Sequence, residues 1–302
     1  MVGAVAALGS GVSTDSSGKS LTEGARVVFP YFYSCHTCRN CLAGRRNACL
    51  NLKMAMLGGR ADEPPYFVGG YGDYYLLPAG AVVYSVPDTV SDDIAAGANC
   101  ALSQVMYGLE RVDLQLGEHV VVQGAGAWGL YAIAVAKARG AANVIAIDGV
   151  SERLDLATAF GADTVLDLNE ISTPKDRAKA VRGLTDGHGA DVVVEVVGHP
   201  PSAIEEGLQM LGQFGRYVEI GNINVGQTFS FDPSRFVFSN KTMVGVSLYD
   251  PAVLSRALTF LDRHQHSLPF ERLAAASYAL DDINDAFAAA DGKRDIRASL
   301  IP

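Results

Sequence analysis

The spacing of apolar and polar positions changes near residue 118. Beyond that point, short apolar runs rich in β-branched residues alternate with longer stretches of helical period. The apolar runs are HVVVQ, NVIAID, DTVLD, ADVVVEVVG and GRYVEIG, and the helical stretches include WGLYAIAVAKARG, SERLDLATAFG and PSAIEEGLQMLG. This alternation predicts right-handed βαβ crossovers, and therefore an α/β fold with a doubly wound parallel sheet that has helices on both faces.

The segments on either side of this region have a different pattern. Residues 1 to 100 contain short, aromatic-rich runs with period-2 alternation, which predict a small, mostly β domain: VGAVAAL, ARVVFPYF, GGYGDYYLLP and VVYSVP. From about residue 248, two helical patterns precede a closing strand, RASLIP, which we expect to pair with the N-terminal β region. A chain of 302 residues is consistent with two domains.

Composition and charge narrow the class of protein. Hydrophobic residues make up 49% of the chain and charged residues 19%, with 32 glycines, as expected for a globular α/β protein. The net charge of -9 argues against nucleic acid or an anionic membrane as a partner, since both require a basic surface. We find neither an apolar window long enough to span a bilayer nor the basic start of a signal peptide. We therefore expect a cytoplasmic protein with reduced cysteines.

Four of the five cysteines lie within the stretch SCHTCRNCLAGRRNAC, residues 34 to 49. Cys35, Cys38, Cys41 and Cys49 have the spacing C-x2-C-x2-C-x7-C, in which neighbouring thiolates can surround one tetrahedral zinc ion. A zinc ion with four protein sulfurs has no open position, so such a site would be structural. A redox-active C-x-x-C pair and unlinked buried thiols are the alternatives. His36 lies inside the cluster, but four thiolates already complete the coordination shell.

A glycine-rich turn, GAGAWG, follows the run HVVVQ and opens a helical stretch. Here Gly124 allows the tight turn, Gly126 allows the backbone to approach a pyrophosphate, and Gly129 allows close packing of helix on strand. The next strand ends at Asp148, whose carboxylate would accept hydrogen bonds from both ribose hydroxyls and repel a 2′-phosphate. The acidic residue favours NAD over NADP. The alternative interpretation of the motif is that the glycines have a purely steric role at a strand–helix turn.

The fifth cysteine, Cys100, lies in the segment GANCALSQVMYGL. A single cysteine of this kind is more often a small buried residue than a metal ligand. None of the six histidines forms an H-x3-H or H-E-x-x-H pattern. The residues alone therefore do not assign a catalytic metal site.

Taken together, these segments resemble the zinc-containing alcohol dehydrogenases of the medium-chain dehydrogenase/reductase superfamily. The resemblance rests on the four-cysteine segment, GGYGDYYLLP, NCALSQVMYGL, the glycine-rich turn and the closing IRASLIP. It implies a GroES-like, mostly β catalytic domain from residues 1–101, a Rossmann NAD-binding domain from 102–247, and a C-terminal return to the catalytic domain over 248–302. It also implies a small alcohol or carbonyl substrate and a homodimer or homotetramer.

The resemblance also assigns roles to individual residues. It implies a structural zinc on Cys35, Cys38, Cys41 and Cys49, and makes Cys100 a ligand of a catalytic zinc. It makes Asp148 the ribose-binding acid, puts Arg153 beside the adenosine ribose, and has Arg297 reach the cofactor pyrophosphate. For both arginines, a solvated surface charge is the alternative.

Two departures from the family pattern affect the expected function. Gln104 occupies a position where the family often has a threonine that touches the nicotinamide. The family's first catalytic cysteine and its Gly-His-Glu segment precede the strand with which this chain begins, so we expect the catalytic zinc site to be incomplete and alcohol oxidation by this chain to be negligible. If Met1 is not the true start, the alternative is a longer protein that holds the full site and oxidises an alcohol with NAD.

The function expected of the family is hydride transfer between an alcohol and NAD with zinc as Lewis acid. One alternative is an NAD-binding protein without catalysis. Another is a zinc-independent quinone or carbonyl reductase, against which the cysteine segment counts.

Overall fold

The structure, a computed structural model, describes residues 1–54, 60, 62–64, 66, 69–274, 276–292 and 296–302. The chain forms two compact units. The first consists of Met1–Ser103 and Leu248–Pro302, and the second of Gln104–Ser247. None of the described helices combines the length and the apolar character that crossing a bilayer requires.

Strands and helices are numbered in chain order. The strands are β1 Val2–Ala4, β2 Arg26–Val28, β3 Phe32–Tyr33, β4 Lys53–Met54, β5 Tyr84–Ser85, β6 His119–Gln123, β7 Asn143–Asp148, β8 Thr164–Asp167, β9 Ala190–Glu195, β10 Leu211–Glu219, β11 Thr242–Gly245, β12 Ala276–Ala279 and β13 Ala298–Ile301. The α-helices are α1 Arg39–Leu42, α2 Asp92–Ala95, α3 Ser103–Arg111, α4 Ala127–Ala138, α5 Ser151–Ala159, α6 Pro174–Gly183, α7 Ser202–Met210, α8 Pro233–Phe238, α9 Ala252–His264 and α10 Ile283–Asp291.

The second unit is built on a six-stranded parallel sheet with the order β11-β10-β9-β6-β7-β8. The chain runs outward from β6 to β8 and then returns to the other side of β6 as β9. The strand order therefore reverses between β6 and β9, and the carboxyl ends of these two strands border the crevice where open α/β sheets bind ligands.

The central strands are apolar because both faces of the sheet are covered. Val120, Val121 and Val122 of β6 are fully buried, as are Val192 and Val193 of β9. The predicted doubly wound α/β fold is confirmed. The sequence pattern did not single out α6, α8 or β11, which are short or polar along much of their length.

Helices α6 and α7 are joined by a buried ion pair. Helix α6 begins after Thr173, whose hydroxyl accepts the N–H of Asp176 at 3.1 Å, and Pro174 occupies its first turn. Within it, Arg177 donates to both carboxylate oxygens of Glu206 at 2.6 and 2.7 Å. This two-point contact fixes the two helices against each other on one face of the sheet.

Within its described residues, the first unit contains three small sheets. Strands β1, β2 and β5 pair antiparallel, β3 and β4 form a second antiparallel pair, and β12 and β13 form a parallel pair. The expectation that RASLIP pairs with the N-terminal β region is therefore wrong, because its strand β13 pairs with β12. Its partner has the sequence ASYA, in which too few apolar residues alternate to mark a strand.

The predicted strand GGYGDYYLLP is also absent from the structure. Residues 69–78 are described, and they form bends and irregular backbone. The side chains of Tyr71 and Tyr74 are both 64% exposed, so the aromatic residues in this run do not form one buried face. Tyr75 instead packs its ring against Phe29, with the centroids 4.9 Å apart.

Candidate functional site

The four cysteine sulfurs of residues 35 to 49 converge on one point in the first unit. The Sγ atoms of Cys35, Cys38, Cys41 and Cys49 all lie within 4.8 Å of one another. The sulfurs of Cys35 and Cys49 are 3.5 Å apart, and those of Cys38 and Cys49 are 3.9 Å apart. A tetrahedral zinc ion with Zn–S bonds of about 2.3 Å would separate its sulfurs by about 3.8 Å. The arrangement fits a zinc ion with four thiolate ligands.

Local backbone geometry aims the sulfurs inward. His36 adopts a left-handed conformation with φ 58°, which turns the chain between the first two cysteines. Cys38 caps the single turn of α1, which contains Cys41, and Cys49 follows a 3₁₀ turn. The exposed His36 is not one of the four converging residues.

Backbone and side-chain N–H groups surround the sulfurs. The amide of Asn51 donates to Cys35 Sγ at 3.4 Å, and the N–H of Leu50 donates to Cys38 Sγ at 3.4 Å. The Asn51 amide, together with nearby backbone N–H groups, lowers the pKa of Cys35 to about 5. Burial raises the pKa of Cys41 to about 12. These contacts stabilise the Cys35 thiolate, and a cation at the centre would favour loss of the Cys41 proton.

An ion pair ties this cysteine segment to the C-terminal part of the first unit. Arg46 donates from Nε and Nη2 to Asp250 at 3.0 and 2.6 Å, across 204 residues of sequence. Asp250 also accepts the N–H of Ala252 at the start of α9. The segment is therefore held in place by a charged two-point contact in addition to its own backbone bonds.

In the second unit, the glycine-rich turn lies between β6 and α4, as its sequence position implied. Gly124 has φ +95°, a conformation that side chains other than hydrogen rarely adopt. A Cβ atom at Gly129 would lie 1.8 Å from the carbonyl oxygen of Gly124, which leaves no room for a side chain. Gly126 caps α4 at its N-terminus. The first N–H groups of this helix have no partner within the helix and face the crevice end of the sheet.

Asp148, at the end of β7, is hydrogen-bonded to the glycine-rich turn. Its Oδ2 accepts the N–H of Ala125 at 2.7 Å, and its Oδ1 accepts the N–H groups of Gly149 and Val150 at 2.8 and 3.0 Å. Its side chain is largely buried. The structure therefore brings together the glycine-rich turn and Asp148 at neighbouring strand ends.

Arg153 lies beside the same turn. A Cβ atom built at Gly126 would be 4.0 Å from the Nη1 atom of Arg153, so the guanidinium is close to the N-terminus of α4. Like the helix end, it presents positive charge to this part of the crevice.

The sequence analysis did not identify two glutamates at the ends of β9 and β10. Glu195 ends β9 and is fully buried, and Glu219 ends β10 opposite it in register. Each is an acid that directly follows apolar residues, in VVVE and RYVE, and that contrast was the only sequence signal. Asn222 bridges them, donating from Nδ2 to Glu195 Oε2 at 3.0 Å and to Glu219 Oε1 at 3.3 Å.

Cys100 lies in a π-helical turn, Ala98–Leu102, in the first unit. Burial raises the pKa of its thiol, and a hydrogen bond with Tyr31 acts in the opposite direction. Among the described residues, the cluster of His, Cys, Asp or Glu suited to a metal is the four-cysteine group, and Cys100 is not part of it.

The two remaining residues discussed from the sequence make contacts within their own units. The buried Gln104 donates from Nε2 to the carbonyl of Val246 at 3.0 Å in the second unit. In the first unit, Arg297 donates from Nη2 to the carbonyl of Asp93. Its positive charge also lowers the pKa of Cys100, although burial outweighs it.

Comparisons with known proteins match both parts of the chain. A family model described as zinc-binding dehydrogenase matches residues 127–263, and one described as alcohol dehydrogenase GroES-like domain matches residues 1–88. The chain is 32% identical over 286 residues to a 5-exo-hydroxycamphor dehydrogenase from Pseudomonas putida, covering 94% of this chain and 77% of the relative. It is 31% identical to an erythritol/L-threitol dehydrogenase from Mycolicibacterium smegmatis, covering 93% and 74% of the two chains.

Solved structures agree with these sequence matches. The fold is similar to that of an alcohol dehydrogenase from Thermotoga maritima, with a TM-score of 0.93 and 27% identity over all of this chain and 82% of the other. An alcohol dehydrogenase from a Thermus species matches with a TM-score of 0.85 and 26% identity, covering 99% of this chain and 82% of the other.

The packing at Gly129 gives a direct test of the glycine-rich turn. Replacing Gly129 with alanine should lower the free energy of unfolding by at least about 3 kcal/mol, because a methyl group would overlap the backbone of Gly124. Gly183→Ala is the matched control, because no atom lies within 4 Å of the added carbon and the residue is in a helix. Denaturant unfolding of both variants measures the difference. Equal stability of the two would contradict the close approach of α4 to β6.

Proposed function

Because the chain belongs to the zinc-binding dehydrogenases of the medium-chain dehydrogenase/reductase superfamily, we propose that it transfers a hydride between an alcohol carbon and NAD. The main support for NAD as the cofactor is the glycine-rich turn. It is hydrogen-bonded to Asp148 and lies where the strand order of the sheet reverses. Dehydrogenase relatives support the alcohol part.

We assign separate parts of the dinucleotide to separate groups. The N-terminus of α4, opened by Gly126, would receive the pyrophosphate, because its N–H groups and the helix dipole both favour an anion. The Asp148 carboxylate would accept hydrogen bonds from the adenosine ribose, and Arg153 lies near enough to contact the same end of the cofactor. For Arg297, contact with the pyrophosphate remains a proposal that follows from the family resemblance.

The reaction is an oxidation of an alcohol to a carbonyl compound. The alcohol carbon loses a hydride, its hydroxyl releases a proton to water, and the carbonyl forms. When bound, NAD supplies the hydride acceptor. The chain's own contribution, as described, is to bind and orient the dinucleotide at the carboxyl ends of the parallel strands. We propose small alcohols as the substrate class, since relatives are named for a hydroxylated camphor and for four-carbon polyols.

We also propose that the four-cysteine cluster holds a structural zinc ion. Four sulfurs within 4.8 Å of one another match the donor set and the size of a zinc site that is closed to substrate. Such an ion stabilises the fold of the segment and takes no part in hydride transfer. Cys100, which lies outside this cluster, is the residue that we assign to the reaction centre.

We further propose that the protein assembles as a homodimer or homotetramer. Strand β11 forms one edge of the parallel sheet in the second unit. Ile223, Val225 and Phe238 of that unit are 83%, 103% and 79% exposed. Exposed apolar side chains and a strand at the edge of a sheet favour association with another copy.

The zinc proposal predicts about one zinc ion per chain in reduced, metal-replete protein, lost when Cys38 is replaced by serine. Serine removes one of four thiolates, so the ion should be released and the melting temperature should fall. Elemental analysis of purified protein measures the zinc content. Cys100→Ser is the control and should keep this ion, because Cys100 is outside the cluster. Unchanged zinc content in the Cys38 variant would exclude this site.

The cofactor proposal predicts that NAD binds about tenfold more tightly than NADP, since hydrogen bonds to a charged group are worth ~1.5–3 kcal/mol and a 2′-phosphate would face the Asp148 carboxylate. Asp148→Asn should reduce this preference by removing the charge. Titration calorimetry with both cofactors measures it, and thermal unfolding reports whether the variant keeps its fold. Equal or tighter binding of NADP by the native chain would contradict the assignment.

The sequence alone led to an expectation of negligible alcohol oxidation, whereas the match to dehydrogenases favours an active enzyme. The activity proposal therefore predicts NADH formation from one or more alcohols in a panel of primary, secondary, cyclic and polyol compounds. Cys100→Ser should abolish turnover and change the NADH dissociation constant less than about twofold, because the thiol lies in the first unit and the glycine-rich turn in the second. NADH absorbance measures turnover, and fluorescence titration measures binding. Tight NADH binding without turnover of any alcohol would reject alcohol oxidation for this chain and leave dinucleotide binding intact.

A further inference from the structure

Two carboxyl groups lie side by side at the carboxyl ends of β9 and β10. Glu195 and Glu219 are direct neighbours in the parallel register of these strands. Glu195 is fully buried and Glu219 is partly buried. Adjacent carboxylates in a sheet interior repel each other, so the pair requires either a nearby cation or a proton.

Hydrogen bonds account for most oxygen atoms of the pair. Glu195 Oε1 accepts the N–H groups of Val197 and Gly198 at 2.6 and 2.9 Å. Asn222 donates its backbone N–H to Glu219 Oε1 at 2.8 Å, and its side chain bridges the two acids. The acids therefore hold the loops that follow β9 and β10.

One oxygen has no donor. Glu219 Oε2 is buried and accepts no hydrogen bond in the described part of the protein. A proton on Glu219 would remove this deficiency, because Oε2–H could donate to the Glu195 carboxylate. Consistent with this, burial and the neighbouring Glu195 raise the pKa of Glu219 to about 8.

Among the contacts that the structure describes, no positively charged side chain neighbours the two glutamates. From β9 the facing group is Glu195, and Asn222 from the following loop is neutral. The β11 residue opposite Glu219 is Gly245, which has no side chain. Tyr217, two residues earlier on β10, is buried near both acids and bonds to the neutral Gln123 of β6.

Helix α7 presents one more acid toward this region. Glu206 acts on Tyr217 electrostatically, but it is itself paired with Arg177. A proton shared between the two strand-end glutamates is therefore the stabilising arrangement that these surroundings allow.

The pair borders the glycine-rich turn. Glu195 is opposite Gln123 in the register of β6 and β9, and Val196 donates its N–H to the carbonyl of Gln123 at 3.1 Å. A Cβ atom at Gly124 would lie 3.1 Å from Val197 Cγ2. The loop that Glu195 holds therefore packs directly against the glycine-rich turn, where the strand order reverses.

We propose that Glu195 and Glu219 share one proton and act together as positioning residues for the dinucleotide, by holding residues 196–198 and 221–222 against the crevice. The positioning role rests on the proposed function, whereas the shared proton does not. When the proton leaves, two anions face each other, the loops separate, and the added negative charge opposes binding of a pyrophosphate.

The shared proton is tested without cofactor. Protein at about pH 6.5 should show the infrared carbonyl band of a protonated carboxylic acid, lost at about pH 9.5 and absent at both pH values in Glu219→Gln. Because the folded-state pKa is raised from 4.5 to about 8, the native state binds the extra proton in this interval. The stability of the native chain relative to Glu219→Gln should thus fall as pH rises from about 4.5 to about 8, and stay level above it.

Glu170→Gln, an exposed acid of the same unit, is the matched control and should show neither change. A native infrared spectrum without the acid band at about pH 6.5 would overturn the shared proton, whether or not the Gln variant folds.

The positioning role is tested by NADH titration across the same pH range. The NADH dissociation constant of the native chain should rise about tenfold between about pH 7 and pH 9.5. Glu219→Gln, whose amide donates at every pH, should show little of this dependence. An equal pH dependence in both proteins would overturn the positioning role. Absence of NADH binding in both would instead reject the proposed function, while the infrared result would still decide the proton.

Discussion

Helix α4 packs so closely on the end of β6 that the Gly124 carbonyl occupies the place of a side chain at position 129. This approach brings the helix N-terminus to the carboxyl ends of the strands and leaves the turn narrow enough for Asp148 to bond to Ala125. Val197, held by Glu195, closes the other side of Gly124. The crevice at the strand-order reversal therefore depends on one contact between backbone atoms, and the charged groups around it are arranged with respect to that contact.

The two candidate sites obtain their geometry in different ways. The cysteine cluster is local, since its four sulfurs come from fifteen consecutive positions and a few backbone turns bring them together. The glutamate pair comes from strands that only the sheet makes adjacent. A metal ion would supply the missing positive charge in the first case. In the second, we propose that a proton does so, which would make that region sensitive to pH and the cysteine cluster sensitive to metal supply.

The sequence predicted the structure well where local pattern decides it, and less well where contacts between residues far apart in the sequence decide it. The strands HVVVQ and NVIAID agree with β6 and β7 because residues buried on both faces leave an unbroken apolar run. In the first unit, GGYGDYYLLP forms no strand and β13 pairs with β12, since pairings among short strands are set by tertiary contacts. Glu219 was missed for a related reason. Its sequence shows one acid at a strand end, and only the register shows the second acid beside it.

The ion pair between Arg46 and Asp250 has a consequence for the order in which the protein is made. The two residues are 204 positions apart, so at about 5–20 residues per second synthesis takes on the order of ten to forty seconds to reach the second after the first. During that interval the whole second unit is synthesised, after the cysteine segment and before Asp250. A metal ion that binds the cysteines, as we propose, would therefore have this interval to bind before the Arg46–Asp250 ion pair forms.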